Sequence, residues 1–338
     1  MTARKTNRAD GSLPKRLPMG ILAGFLLAAL VLIIMTSASM GFVPVSFTEA
    51  ARILFVRLGG LENALAGIDP LLPVILLEVR LPRILAAALV GGGLAVSGAV
   101  FQGILLNPLA DPYTLGVSAG AAFGASLAFL LNISFLGNWS VSLFAFLGAV
   151  ATLAVVIHLS SSAGGLSSNN LILSGIIVAA ILAAGISFLK YLADEQVAII
   201  VFWLMGSFAS QTWSNVFLVL VAVALGSTVF AFFARDLNLM SLGDRTAASL
   251  GVETRRTMLV LLVAASLIAA VCVAISGIIG FVGLLVPHMM RVLTGPDHRR
   301  LLPVCLLAVY AGLFGLFLLA AGSRETRTAA DSGDGIVF

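Results

Sequence analysis

The sequence predicts an all-α integral membrane protein, a polytopic helical bundle of about nine spans. Three observations carry that reading. Hydrophobic residues make up 60% of the 338 and charged residues only 10%, with a mean hydropathy of +1.12; no soluble core of this size tolerates such a composition. Between Pro82 and Ala234 the only charges are Arg83, Asp111, Lys190, Asp194 and Glu195, which leaves no room there for a soluble domain. Apolar runs of roughly 20 residues, the length that crosses a bilayer, recur near 19–43, 83–106, 115–136, 139–159, 171–192, 213–234, 257–276, 277–293 and 301–321.

Residues 1–18 form a basic tail carrying Arg4, Lys5, Arg8, Lys15 and Arg16. A secretory signal with Ser37–Ala38–Ser39 as its cleavage site is the competing reading. The run after the tail is too long for one and many spans follow, so it reads as an uncleaved first helix. In the second span Pro82 is placed to start a helix, where proline is tolerated. Asn107-Pro108 and Asp111-Pro112 then break the chain, and Gly116 restarts it as the third span. Val197–Ser210 is apolar but too short to cross and reads as a re-entrant or interfacial helix. With the N-terminus inside, twelve of the nineteen Lys and Arg fall on inside segments, the expected sign of the positive-inside bias. Arg52, Arg57, Arg80 and Arg83 fall outside and require a reason. The net charge of +4 is scattered among loops, so it argues for topology and not for nucleic acid.

Small residues recur every four positions along two spans: Gly91, Ala95, Ala99 and Gly103 on the second, then Gly116, Gly120 and Gly124 on the third. Such stripes let helix backbones approach closely in lipid, so they read as helix-packing faces. Cys272 and Cys305 lie far apart in apolar stretches and read as packing residues. The stretch Ser276–Pro303, SGIIGFVGLLVPHMMRVLTGPDHRRLLP, reads as an apolar helix with Gly277, Gly280 and Gly283 that meets the cytoplasm in basic residues. His288 and Arg291 are expected to fix its inner end and not to bind metal. Between the sixth and seventh spans Leu237–Arg256, LNLMSLGDRTAASLGVETRR, reads as two short helices. Gly243 punctuates the first, Asp244 is placed to cap the second, and Leu250-Gly251 ends it.

These motifs, with Arg80–Gly120, RLPRILAAALVGGGLAVSGAVFQGILLNPLADPYTLGVSAG, give the chain a resemblance over roughly residues 15–320 to the FecCD family. These are permease subunits of ABC importers for vitamin B12, iron–siderophore complexes and haem. The resemblance implies a permease domain over 19–321, in a homodimer of ten-helix subunits. The dimer would sit on two cytoplasmic ATPase subunits and receive substrate from an extracytoplasmic binding protein, in the cytoplasmic (inner) membrane. It further implies that the LGxxxAxxLG segment, with Leu242, Gly243, Asp244, Ala247, Leu250 and Gly251, is the element docking on the ATPase. Arg80 and Arg83, matching an RLPR motif, would meet glutamates of the binding protein on the outer face, where a guanidinium offers bidentate geometry. Ser167, Ser168 and Asn169, within LSSNNLILSG (166–175), would fall on the cytoplasmic gate.

Other signals carry less. Glu49-Ala50-Ala51 matches the first letters of the EAA loop of other ABC permeases, but the topology puts it outside. The only lysines are Lys5, Lys15 and Lys190 and no GxxxxGK[ST] occurs, so no P-loop is present. ATP and magnesium are expected in the partner ATPase, with no cofactor on this chain. No nucleophile–base pair stands out, and the chain is expected not to be an enzyme. Residues 322–338 form a polar tail where the family continues to a tenth helix, so nine spans are expected. The predicted function is the permease of a metal-chelate importer, iron–siderophore first. The alternatives are a cobalamin or haem permease, a secondary transporter, or an inactive permease with an altered C-terminus.

Overall fold

The computed structural model describes residues 18–41, 43, 45–59, 68–137 and 139–308. The basic tail, most of the ninth span and the 322–338 tail lie outside the described residues. Every regular element among those described is helical. Helix α1 is Met19–Ser39 and α2 is Phe47–Gly59. A continuous helix runs from Leu71 to Ile104, made of α3 (Leu71–Val74), a π turn (Ile75–Arg80) and α4 (Leu81–Ile104). Then follow α5 (Val117–Leu130), α6 (Trp139–Ser162), α7 (Ser168–Leu192), α8 (Val197–Leu204) and α9 (Trp213–Met240). The last are α10 (Asp244–Ser249), α11 (Thr254–Ser276), α12 (Val282–Thr294) and α13, described over 298–308.

Six of these helices are long and apolar enough to span. Two expected spans are corrected. The 14 residues of α5 and the 13 of α12 give about 21 and 20 Å at 1.5 Å per residue, short of a core about 30 Å thick. In the 277–293 run the helix ends at Ser276 and resumes only at Val282. Gly277, at φ +71°, turns the chain out of α11, so its glycines break a helix where a continuous one was expected. Non-helical backbone at membrane depth survives only when protein satisfies it. Here the α4–α5 loop does so. Tyr113 Oη donates to Ile279 O at 2.6 Å, and Pro112 packs where a side chain on Gly283 would have to go. Ser207 N–H donates to Ser276 O at 2.7 Å, and Gln211 Nε2 to Ile275 O at 3.2 Å, tying the break to the α8–α9 connection.

Pro82 does not start a helix. It lies inside the 71–104 helix, immediately after the π turn. A proline ring clashes with the carbonyl four residues back. The π turn moves the pairing to i−5, with Leu81 N–H on Leu76 O, and the helix runs on through the proline.

Helix α4 is the axis of the bundle, packed against α9, α11 and α12, and nearly every residue from Ala86 to Ile104 is buried. That explains three consecutive glycines, which face different directions. A methyl on Gly92 would meet Leu306, and one on Gly93 would meet Val223, Cys272 and Ile268. Gly91, Ala95, Ala99 and Gly103 are all buried. The tightest crossing, though, is at Gly98, whose missing side chain leaves space for the carbonyl of Gly283. Helices α5 and α6 run antiparallel with backbones in contact: Gly120 faces Gly148 and Thr152, and Gly124 faces Phe144. Gly116 is the left-handed residue before α5, against Gly175 and Ala179.

Gly98→Ala should therefore destabilise the detergent-solubilised protein by about 3 kcal/mol or more, as overpacking against backbone does. Gly20→Ala, in open space on α1, should leave the melting temperature unchanged in the same assay.

Candidate functional site at the inner end of the bundle

The segment joining α9 to α11 is one helix and not two. Leu237–Met240 is the last turn of α9, and α10 follows after the three residues Ser241, Leu242 and Gly243. Asp244 does not cap α10. The N-cap is Gly243, at φ +98°, whose carbonyl accepts from Ala247 N–H at 3.0 Å. Asp244 sits instead in the first turn, where the helix dipole favours a negative charge. The far end is a Schellman closure: Gly251 N–H bonds Ala248 O at 3.0 Å and Val252 N–H bonds Ala247 O at 3.1 Å. Gly251 takes the left-handed φ of +88°. These bonds fix a rigid six-residue helix. Ala247 is fully buried, pinning α10 to the bundle, while Leu242 is 62% and Leu250 56% exposed. Two leucines beside a pinned, glycine-bracketed helix make an apolar knob on the inner face.

At the same end, on the last turn of α9, a polar knot begins. Asn238, on the last turn of α9, donates from Nδ2 to Asp297 Oδ1 at 2.7 Å. Its Oδ1 accepts from His298 N–H at 2.8 Å and lies 2.8 Å from His298 Nδ1. Because the carboxylate fixes which end of the amide is nitrogen, Nδ1 of His298 must carry the proton. Nε2 is then an acceptor, buried without a partner, and it lies where a methyl on Gly103 of α4 would fall, 2.9 Å away. Asp297 also starts α13, accepting from Arg299 N–H at 3.0 Å. Burial works to raise the Asp297 carboxyl. The bonds from Asn238 and Arg299, with the charges of Arg300 and Arg299, outweigh it and hold the group below its usual range. One turn away, Arg291 Nη1 donates to Gln102 Oε1 at 2.9 Å, and Gln102 Nε2 to Leu284 O at 3.2 Å. Arg291 thus ties α12 to α4, whereas His288 is exposed. Among the described residues no cluster of three or more His, Cys, Asp or Glu could hold a metal.

The three residues expected at the gate differ in place. Ser167 is the N-cap of α7, accepting from Asn170 N–H at 3.2 Å. Ser168 Oγ reaches Ile104 O at 3.4 Å, beside the inner end of α4. Asn169 is exposed. On the outer side, Arg80 turns inward. Its guanidinium donates to Ala38 O at 2.7 Å and to Val43 O, holding the end of α1. Arg83 is exposed and donates to Ala209 O at 2.9 Å with one nitrogen. Glu49 belongs to a capping box at the start of α2: it accepts from Ser46 N–H at 2.9 Å and Ser46 Oγ donates to it at 2.8 Å. Those bonds hold its carboxyl below the usual range.

Asn238 and Gln102 were not singled out from the sequence. A signal existed, because Gln102 is the one side-chain amide in the 83–106 run. A lone amide in an apolar span needs an internal partner.

Comparison with known proteins places this architecture. A family model described as the FecCD transport family matches residues 26–328. A cobalamin import system permease of Halobacterium salinarum is 40% identical over 272 residues, 80% of this chain and 72% of that protein. A hemin transport system permease of Yersinia pestis is 37% identical over 313 residues, 91% and 87% of the two chains. A solved inward-facing ABC transporter described as of metal-chelate type superposes with a TM-score of 0.74 at 36% identity, over 87% of this chain and 88% of that one. A bundle of apolar spans around a buried glycine-rich axis, matched over nearly its whole described length, belongs to the FecCD transport family: the chain is a multi-pass ABC importer permease.

Proposed function

We propose that the chain carries a metal chelate across the cytoplasmic membrane, an iron–siderophore complex first, as one half of a homodimer driven by cytoplasmic ATPase subunits. An extracytoplasmic binding protein delivers the cargo. The observation that carries this reading is the inner knob: Leu242 and Leu250 stand exposed on either side of a rigid, pinned α10. Apolar side chains on a short rigid helix suit a groove in a partner that moves as a rigid body. ATP binding and hydrolysis in that partner displace α10, and the gates respond by alternating access. Ser168, hydrogen-bonded to the inner end of α4, is placed to follow that helix, with Ser167 and Asn169 beside it at the inner mouth. The chain makes and breaks no covalent bond. The relatives named for cobalamin and hemin support the chelate class, and cargo choice within it rests with the binding protein.

On the outer face the two arginines divide the work. Arg83 offers the docking charge, and Arg80, committed to Ala38 and Val43 carbonyls, shapes the surface on which it stands. Arg83→Ala should slow association with the binding protein and flatten its salt dependence, as removal of a rim charge does. Surface plasmon resonance on nanodisc-embedded protein reads both. Arg80→Ala should in addition lower thermal stability, because it strands two carbonyls.

For the inner face, co-expression with the ATPase and affinity purification give the test. Leu250→Asp should weaken the complex by about 2–3 kcal/mol, the burial of one leucine, roughly 30- to 150-fold in Kd. Undiminished copurification would remove α10 from the interface. In proteoliposomes holding the complete complex, uptake of iron-55 ferrichrome, cobalamin and hemin, each with and without ATP, identifies the cargo; uptake driven by a proton gradient without ATPase would overturn the reading.

A further inference from the structure

The knot at the end of α9 has a geometry that a mere helix cap does not need. Asn238 uses donor and acceptor together: Nδ2 on Asp297, Oδ1 on the backbone and ring of His298. It stands six residues before Asp244, on the helix turn from which α10 hangs. On its other side the His298 ring lies over Gly103, and next to Gly103 is Gln102, which holds both Arg291 and the carbonyl of Leu284. Hydrogen bonds therefore join α9 to the start of α13 and, separately, α4 to α12, and the two pairs meet where the His298 ring packs against Gly103. Gly103 is itself clasped between Leu237 of α9 and His298, with a methyl there falling 2.8 Å from Leu237 Cδ1 and 2.9 Å from His298 Nε2. A methyl there would force the Leu237 side chain and the His298 ring to shift.

We propose that Asn238 is a positioning residue of the transport cycle, through which displacement of α10 is passed to the start of α13 and onward to the inner turn of α4. The inference rests on the reading of α10 as the ATPase-docking helix. Hydrogen bonds resist sliding in a way apolar contacts in lipid do not, because they are directional and weaken steeply as distance and angle change; Asn238 and Asp297 are both half-buried. The two-sided grip of Asn238 makes α9 and α13 move as one body. Gly103, with no side chain to deflect the push, lets the imidazole pack close against α4. From there Gln102 carries the motion to α12, whose N-terminal approach to Gly98 is backbone on backbone.

The test uses the full chain assembled with its ATPase in nanodiscs and an environment-sensitive fluorophore on Leu109→Cys, an exposed position in the α4–α5 loop. Cys272 and Cys305 are fully buried and stay unlabelled. In the parent protein ATP with vanadate should shift the emission. Asn238→Ala should keep ATPase copurification and hydrolysis within about twofold while shrinking the ATP-driven shift by roughly fivefold or more, the scale of a lost coupling contact. Asp297→Ala should behave alike, and Asp297→Asn, which keeps an oxygen for Asn238, should stay near the parent. A full ATP-driven shift in Asn238→Ala overturns the proposal, as does loss of copurification, which would make Asn238 part of the docking surface. A parent complex that fails to bind the ATPase or to respond to ATP would instead sink the docking reading. For that case hydrogen exchange on the chain alone decides: Asn238→Ala should speed exchange at 102–104 together with 297–301, and a change confined to 297–301 overturns the proposed path.

Discussion

The backbone approach of α4 and α12 at Gly98 and Gly283 is the constraint on which the rest of the structure depends. In lipid no hydrophobic force draws helices together, so close van der Waals contact and internal pairing must do it. Neither residue has room for a side chain: one on Gly98 would meet the Gly283 carbonyl, and one on Gly283 would meet Pro112 and the Leu94 carbonyl. The approach seats the Gly283 end of α12, a half-length helix, against α4, and the chain between Ser276 and Val282 runs there without helical pairing. The α4–α5 loop is drawn in against the same place, with Pro112 on Gly283 and Tyr113 on the Ile279 carbonyl. Two irregular segments thus satisfy each other at a depth where neither could exist alone.

The same constraint organises the two ends. On the outer side the break at Gly277 is gripped by Gly206, Ser207 and Gln211, and Arg83 and Trp213 stitch the 71–104 helix to the α8–α9 connection through Ala209 O and Leu77 O. On the inner side Asn238, Asp297, Gln102 and Arg291 pair polar groups on four helices. Between them the packing is almost wholly apolar. Stiff, directional contacts at the ends and smooth helix surfaces between suit a bundle whose helices tilt as bodies.

Much of this was legible because membranes simplify sequences. Span-length apolar runs announce helices, and α6, α7, α9 and α11 lie close to where the runs put them. The Gly120/Gly124 row could be seen because its partner helix follows directly in the chain. The errors share a cause. Pro82 reads as a helix start and Gly277–Gly283 as helix interior because local propensity favours both. The π turn that admits Pro82 and the α4–α5 loop that supports a broken helix are tertiary solutions, set by residues far away in sequence. Asp244 illustrates the small-scale version: aspartate is a good cap, but the left-handed turn at Gly243 displaced it by one position. Asn238 lay unread within LNLM because its partners come about sixty residues later.

Where the charges are absent decides how energy enters. Of the five charged residues between Pro82 and Ala234, Arg83 stands on the outer edge and Asp111 is absorbed by its own turn, accepting from Tyr113 N–H, Thr114 N–H and Thr114 Oγ1. Lys190, Asp194 and Glu195 cluster where α7 ends and α8 begins. A carrier coupled to protons or sodium needs ionisable or coordinating groups along its path at mid-membrane, and these five occupy the ends and one self-contained turn. A partner outside the bilayer that binds one arrangement more tightly than the other can bias the helices between conformations. Beside α10 stand two exposed leucines, and the hydrogen bonds of Asn238 join the adjoining turn of α9 to the start of α13.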